Sequence, residues 1–312
     1  LHNSDLVLIA ARPAMGKSAF ALNIASYAAI NAKVPVAIFN LEMSKSQLVN
    51  RMLCSEAMVD SNKIRTGKIE EDDWVKLATA LGPLSEAEIY IDDTPGMSVP
   101  MIRTRARRLA RQHGGIALIV IDYLQLMTSP GGKKNDNRVQ EISEITRGLK
   151  MLAKELDVPV IALSQLSRSV ETRDDKRPQL ADLRESGSIE QDADIVMFTY
   201  REEYYLQNRD PSERLSNTTN NTMVETWQKR LERARGKADI IIGKNRHGRP
   251  ETVRTAFFGD YSLFDNLDEF QARGENEYAQ PAQTVTAATF APDPNSMPTE
   301  INPDDIPDDI PL

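Results

Sequence analysis

The sequence predicts an α/β fold: a mostly parallel central sheet with helices on both faces and a β-hairpin at its end. Three observations carry this. Apolar runs at 6–10, 34–41, 116–121 and 158–163 alternate with longer stretches of helical periodicity, the order of successive strand–helix units. The run from Ile116 to Ile121 is continuous rather than alternating, as in a strand buried on both faces. Finally, the octapeptide Ala11-Arg12-Pro13-Ala14-Met15-Gly16-Lys17-Ser18 lies between the first apolar run and a helical pattern with Phe20, Leu22, Ile24 and Tyr27.

That last order (strand, glycine-containing loop, lysine, hydroxyl, helix) is the order of a phosphate cradle. Backbone N–H groups of such a loop point inward at phosphate oxygens, and the helix N-terminus adds the positive end of its dipole. Lys17 supplies a point charge for terminal phosphates and the Ser18 hydroxyl can ligate Mg²⁺. Ala11 stands where glycine is usual, which a negative φ at that position would allow.

The second strand, 34–41, runs into Asn40-Leu41-Glu42-Met43-Ser44. Ser44 and Gln47 have capping-box spacing and predict a helix start. Glu42 then sits at a strand's carboxyl end, the edge that holds the ligand in an open α/β sheet. A carboxylate there can take a proton from a water attacking a terminal phosphate. Residues 60–88 read as short helices with Trp74, Leu77 and Leu81 as core. Ile89 to Ile91 reads as a third strand. Met101 to Gln112 is a helix with Arg103, Arg105, Arg107, Arg108 and Arg111 opposite an apolar face of Ile102, Ala106, Leu109 and Ala110. A basic helix suits DNA, but the solvated side of a helix packed on a sheet is the expectation.

The strand 116–121 ends at Asp122, a carboxylate placed to hold Mg²⁺ beside the cradle. A basic loop, Ser129 to Lys134, and a helix from about Val139 to Leu156 follow. The strand Val158 to Leu163 ends at Ser164-Gln165, where an amide can touch a γ-phosphate. Leu183 to Asp194 is a loop of small and polar residues that lets backbone approach a ligand, before a strand at 195–199. Residues 201–236 are polar and read as an insertion, helical from Val224 to Ala234. Ala238 to Ile242 resumes the sheet. Lys244-Asn245-Arg246-His247-Gly248 puts two cations in a glycine-flanked turn, which suits a phosphate partner. His247 reads as a turn residue. Thr252 to Phe258 and Ser262 to Phe264 form the closing hairpin.

Composition narrows the class. The chain has 312 residues, 40% of them hydrophobic and 27% charged, enough for one α/β domain with a core and some excess. Cys54 is the sole cysteine, so no internal disulfide forms; a core position in a reducing cytoplasm is expected. No run approaches the roughly 20 apolar residues of a membrane span, and no signal peptide is visible. The chain opens on Leu1 and reaches its first strand almost at once, so a fragment of a longer protein is expected. Net charge is −8, but residues 261–312 hold 11 acidic residues and one arginine. The remaining 37 Lys+Arg and 35 Asp+Glu leave residues 1–260 at +2, so net charge neither supports nor excludes a nucleic-acid partner. With seven prolines and little apolar content from Gln271 onward, residues 268–312 are expected to be a disordered acidic tail.

Together these segments resemble the motor domain of the bacterial replicative DNA helicases, the DnaB family. The resemblance runs from Asp5 to about Leu267 and is strongest at Ala10 to Ser18, Asn40 to Ser44, Ile119 to Met127, Leu183 to Asp194 and Lys244 to Gly248. Ala11 in place of glycine is usual in that family. The resemblance implies a RecA-like P-loop NTPase core over 1–267, with an insertion at about 206–236. It implies ATP and Mg²⁺ as cofactors and a homo-hexameric ring around single-stranded DNA, with primase and a helicase loader as partners. Ala14, Met15, Gly16, Lys17, Ser18 and Ala19 then contact ATP, and Ser18 and Asp122 hold the metal. Lys17 and Glu42 fall on catalytic positions and Gln165 on the γ-phosphate sensor. Lys244 and Arg246 fall on a cationic finger reaching the neighbouring subunit's site. Arg184, Glu185 and Gly187 fall on the loop that follows the DNA backbone.

Two other readings compete. A RecA-fold recombinase or branch-migration ATPase shares the cradle, but the Leu-Glu-Met-Ser and Arg-Glu-Ser-Gly blocks favour the helicase. A nucleotide-gated assembly module without turnover would be expected to lack Glu42. The terminus, Asp304-Asp305-Ile306-Pro307-Asp308-Asp309-Ile310-Pro311-Leu312, resembles the terminal peptide of single-stranded-DNA-binding proteins. It reads either as a solvating tail or as a ligand for proteins that read that peptide.

Overall fold

The computed structural model describes residues 1–128, 138–183, 187–208 and 221–267. The expected basic loop at 129–134, Arg184 and Glu185, the middle of the expected insertion and the acidic tail lie outside the described residues.

Nine strands form one sheet: β1 (Leu6–Ala11), β2 (Val36–Asn40), β3 (Ile89–Asp92), β4 (Leu118–Asp122), β5 (Val160–Gln165), β6 (Ile195–Tyr200), β7 (Lys237–Asn245), β8 (Glu251–Phe258) and β9 (Leu263–Asn266). Their spatial order is β3-β2-β4-β5-β1-β6-β7-β8-β9. The first six are parallel, and β7, β8 and β9 continue the sheet antiparallel. β1 is therefore central, and all six of its residues are buried.

Because side chains alternate along a strand, each parallel strand feeds two cores. Leu6, Leu8 and Ala10 of β1, Ala37 and Phe39 of β2, and Ile119 and Ile121 of β4 face α5 (Val99–Gln112) and α6 (Arg138–Leu156), which contribute Ile102, Ala106, Ile145 and Leu149. Val7, Ile9, Val36, Ile38, Leu118 and Val120 face the other way, toward α1 (Lys17–Ile30) and α2 (Lys45–Ala57), which contribute Leu22, Ala25, Leu48 and Met52. Cys54 is buried. A third cluster joins Ala19 of α1 to Ala238, Ile240, Phe257 and Phe264 of the antiparallel strands.

The capping box at α2 is formed: Ser44 N–H donates to Gln47 Oε1 at 3.1 Å, and Gln47 N–H donates to Ser44 Oγ at 3.4 Å. On α5 the basic side is solvated and locally paired, Arg105 with Asp92, and Arg103 and Arg107 with Glu155. One core expectation fails. In α4 (Glu71–Glu86) Leu77 is buried, but Trp74 and Leu81 are 59% and 54% exposed. The inward stripe of this helix runs Asp73, Leu77, Ala80. Trp74 and Leu81 are each one residue on, about 100° around the helix. The described parts of the expected insertion are α8 (Glu202–Gln207) and α9 (Asn221–Ala234), lying in the chain between β6 and β7. Among the described residues no helix is long and apolar enough to cross a membrane.

Candidate functional site

Parallel strands place their carboxyl ends on one edge of the sheet. Here those ends are Ala11, Asn40, Asp92, Asp122, Gln165 and Tyr200. A cavity of about 400 Å³ opens along this edge, over the loop between β1 and α1. Ala14, Gly16, Lys17, Ser18 and Ala19 line it, together with Glu42 and Gln165. Met15, also expected in the cradle, does not: its side chain is 2% exposed and its N–H is turned to Arg12 O at 3.4 Å.

The loop takes its shape from two residues in the left-handed region. Gly16 has φ +86° and Ala14 has φ +65°. Ala11 is an ordinary strand residue at the end of β1, so glycine is not needed there. Arg12 ties the loop to the end of β5: its Nη1 donates to Leu166 O at 2.9 Å and its Nε to Glu171 at 2.8 Å. α1 begins at Lys17 without a side-chain cap, so the N–H groups of its first turn stay open to an anion.

Beside the loop, Ser18 Oγ donates to Asp122 Oδ2 at 2.6 Å. Lys17 Nζ lies 3.3 Å from Asp122 Oδ1 and 4.4 Å from the centre of the Tyr123 ring. The Lys17–Asp122 approach is an ion pair but not an aligned hydrogen bond, so Asp122 Oδ1 is buried with no hydrogen-bond partner. A buried carboxylate with an unused lone pair, next to a hydroxyl, is a donor set for a hard divalent cation. Burial first, then the charges of Glu42 and Asp122, push the Tyr123 phenol above its ordinary pKa.

Glu42 is held from behind. Asn40, buried at the end of β2, accepts from Glu42 N–H at 2.8 Å and Met43 N–H at 2.6 Å through Oδ1, which fixes the turn while leaving the carboxylate exposed at the cavity. Gln165 is set by Gln125. The Gln125 amide donates to Ser164 Oγ at 2.9 Å and Gln165 O at 3.3 Å, and its oxygen accepts from Gln165 N–H at 3.3 Å.

Several lining residues were not singled out in the sequence. Arg51 of α2 reaches the cavity. Arg201, just past β6, donates to Ala14 O at 3.2 Å and lies 4.3 Å from the centre of the Phe257 ring. Burial pulls its pKa below the usual guanidinium value, against the opposing charge of Glu203. Nothing local marks Arg201, because its partners are about 190 residues before it and about 55 after.

Lys244 and Arg246 are not at this site. β7 runs antiparallel to β6 and pairs Asn245 with Ile195, so these cations emerge at the opposite edge. Lys244 Nζ caps the end of α7 (Gly187–Asp192), donating to Glu190 O at 2.5 Å and Ala193 O at 2.7 Å. Burial and the neighbouring Arg246 charge lower its pKa. Arg246 Nη1 donates to Asp194 Oδ1 at 3.1 Å. Of the three residues expected to follow the DNA backbone, only Gly187 lies within the described residues, and the stretch 187–192, read from the sequence as loop, forms the short helix α7.

The geometry defines a class: an α/β protein with a glycine–lysine–serine loop leading into an open helix N-terminus, a strand-end carboxylate fit for a divalent cation, and a second carboxylate and an amide facing the same cavity. Residues 1–266 match the family described as DnaB-like helicase C terminal domain. The replicative DNA helicase DnaB of Geobacillus stearothermophilus is 53% identical over 267 residues, covering 86% of this chain and 53% of that protein. Its counterpart from Rickettsia bellii (strain RML369-C) is 50% identical over 277 residues, covering 86% and 55%. Among solved structures, one described as an ATPase domain aligns with a TM-score of 0.73 at 41% identity over 86% of both chains. A DnaB-like replicative helicase, described with its interactions with primase, gives 0.73 at 40% identity over 85% of this chain and 58% of that one. The chain belongs to the DnaB-like helicase C-terminal domain family and has its RecA-like fold. It spans about half the length of these two sequence relatives. Their names favour the replicative helicase over the recombinase reading.

Proposed function

We propose that this chain is the ATP-hydrolysing motor of a replicative DNA helicase, working in a hexameric ring on single-stranded DNA. One observation carries the reading: Lys17, Ser18 and Asp122 meet beside an open helix N-terminus, with Glu42 and Gln165 facing the same cavity. The loop N–H groups and Lys17 would bind the β- and γ-phosphates. Ser18 and Asp122 would hold Mg²⁺, which when bound neutralises phosphate charge. Glu42 is the base for the attacking water, since it is exposed to the cavity while its backbone is fixed by Asn40. Gln165 is placed to sense the γ-phosphate.

Lys244 and Arg246, on the opposite edge, cannot reach their own cavity and would act on that of a neighbouring subunit. Arg184, Glu185 and Gly187 would follow the DNA backbone. Primase and a loader are proposed as partners of the whole protein. ATP hydrolysis by this chain, measured with and without single-stranded DNA, tests the motor; electron micrographs with nucleotide test the ring. DNA-stimulated turnover is expected. No turnover in the presence of Mg²⁺ would refute the motor assignment.

A further inference from the structure

At the edge of the sheet opposite the nucleotide cavity, three side chains that the motor reading leaves unused come together. His2, Asp5 and His247 each offer one donor atom, and these atoms all lie within 4.8 Å of one another. We propose that they form a binding site for a borderline divalent transition metal such as Zn²⁺.

Asp5 immediately precedes β1 and its side chain is only 5% exposed. Its Oδ1 is 2.9 Å from His247 Nε2, and its Oδ2 is 3.5 Å from His2 Nδ1. Ligands bonded to one tetrahedral zinc at about 2.0–2.1 Å stand about 3.3 Å apart. The two imidazole–carboxylate separations lie on either side of that spacing; the 2.9 Å one is itself a hydrogen bond, whose proton an entering ion displaces. Two neutral imidazoles and one carboxylate suit zinc, nickel or cobalt rather than Mg²⁺ or Ca²⁺, which prefer all-oxygen shells.

The surroundings support the set. His2 N–H donates to Asp5 Oδ2 at 3.2 Å, and Asp5 N–H donates to His2 O at 3.3 Å, so the turn holds His2 over the carboxylate. On the other side, His247 N–H donates to Asn245 Oδ1 at 3.0 Å, which fixes the turn after β7. The two imidazole rings lie 4.2 Å apart. The nearby cations are neutralised separately, since Lys150 and Arg246 both pair with Asp194. His2 and His247 remain 65% and 41% exposed, leaving an entry path and an open coordination position for water. An ion here ties the turn carrying Arg246 to the residues before β1.

The test is titration of the untagged 312-residue chain with ZnCl₂ against a chromogenic competitor. Excess Mg²⁺ is present to occupy oxygen-only sites. The chain has three histidines, and the third, His113, stacks on Tyr90 outside the cluster. One equivalent of zinc is expected, with affinity unchanged in His113→Gln. His2→Gln and His247→Gln should each weaken it by at least the roughly 10–100-fold that loss of a mere supporting partner costs at metal sites. Circular dichroism of each variant confirms that it is folded. Wild-type affinity in either His2→Gln or His247→Gln, equal loss in His113→Gln, or no stoichiometric uptake by the unsubstituted chain would overturn the proposal.

Discussion

Replacing Gly16 with alanine adds one methyl group to the loop between β1 and α1, against two phenylalanine rings. Two effects add. At φ +86° an L-residue sits in the left-handed region, which costs about 1–2 kcal/mol. The new Cβ would also stand 2.8 Å from Phe264 Cζ, 2.9 Å from Phe264 Cε2 and 3.2 Å from Phe257 Cε2. Those rings cannot easily retreat. Their centroids are 4.6 Å apart, Phe20 packs on Phe264 at 5.2 Å, and Arg201 covers Phe257. Overpacking of this kind costs about 1–3 kcal/mol, so the total is about 2–5 kcal/mol. Gly67 provides the control. It has φ +71°, but a Cβ there would meet nothing within 4 Å, so Gly67→Ala should show the backbone effect alone. Urea denaturation of both variants and the parent chain gives each destabilisation, and the difference between variants is the steric part. Phe264→Leu placed on the Gly16→Ala background should recover some of it, as a favourable coupling in a double-mutant cycle. Equal destabilisation by the two glycine substitutions, with no coupling to Phe264, would refute the reasoning.

Four further outcomes are expected. Lys17→Ala should weaken nucleotide binding, whereas Glu42→Gln should retain it and lose roughly 10²–10⁴-fold in hydrolysis rate; binding and turnover measured side by side separate the two. Arg246→Ala mixed with Lys17→Ala should regain activity that neither has alone, because a finger acting in trans contributes roughly 10³–10⁵ in rate. No recovery in demonstrably mixed assemblies would rule out action between subunits. Arg184→Ala should weaken single-strand binding equally for all base compositions and flatten its salt dependence, read by fluorescence anisotropy across a salt series. Asp194→Asn should destabilise the fold by about 1.5–3 kcal/mol at neutral pH, since it removes the charged hydrogen-bond acceptor of the mostly buried Lys150, whereas Arg246 is 55% exposed and stays solvated. Burial opposes ionisation of Asp194, but Lys150, the Leu6 N–H and the Arg246 charge outweigh it and hold the carboxyl below the usual range. Its contribution is thus complete above the unfolded value near 3.9 and disappears as pH falls through the lower folded value. The gap in stability between parent and Asp194→Asn should therefore narrow in acid denaturation.

The parts of the structure that were legible in the sequence depend on local pattern. Continuous apolar runs gave the parallel strands, and Ser44 with Gln47 gave the start of α2 because a cap is made within three residues. The shape of the β1–α1 loop was readable for the same reason: Gly16, Lys17 and Ser18 are consecutive, and the structure places Lys17 and Ser18 beside Asp122. What could not be read depends on distant pairing. The direction of β7 is set by its register on β6, and that direction alone decides that Lys244 and Arg246 leave the edge where Lys17 sits. Arg201 acquires a role only through Ala14 and Phe257. Met15 belongs to the cradle motif in sequence, yet its side chain packs inward. Trp74 and Leu81 share a helix with buried Leu77, and apolar character alone did not identify which side of it faces α2.

The central position of β1 also has a consequence for how the chain is made. Leu6 to Ala11 leaves the ribosome well before its sheet partners, which are Val160 to Gln165 on one side and Ile195 to Phe198 on the other. About 150 residues separate it from the nearer partner, which at about 5–20 residues per second is roughly 8–30 s of synthesis. For that interval a six-residue apolar segment has no strand on either flank. The nascent chain is thus most exposed to misassembly before residue 160, and slowing translation upstream of β5 should raise its demand for chaperones.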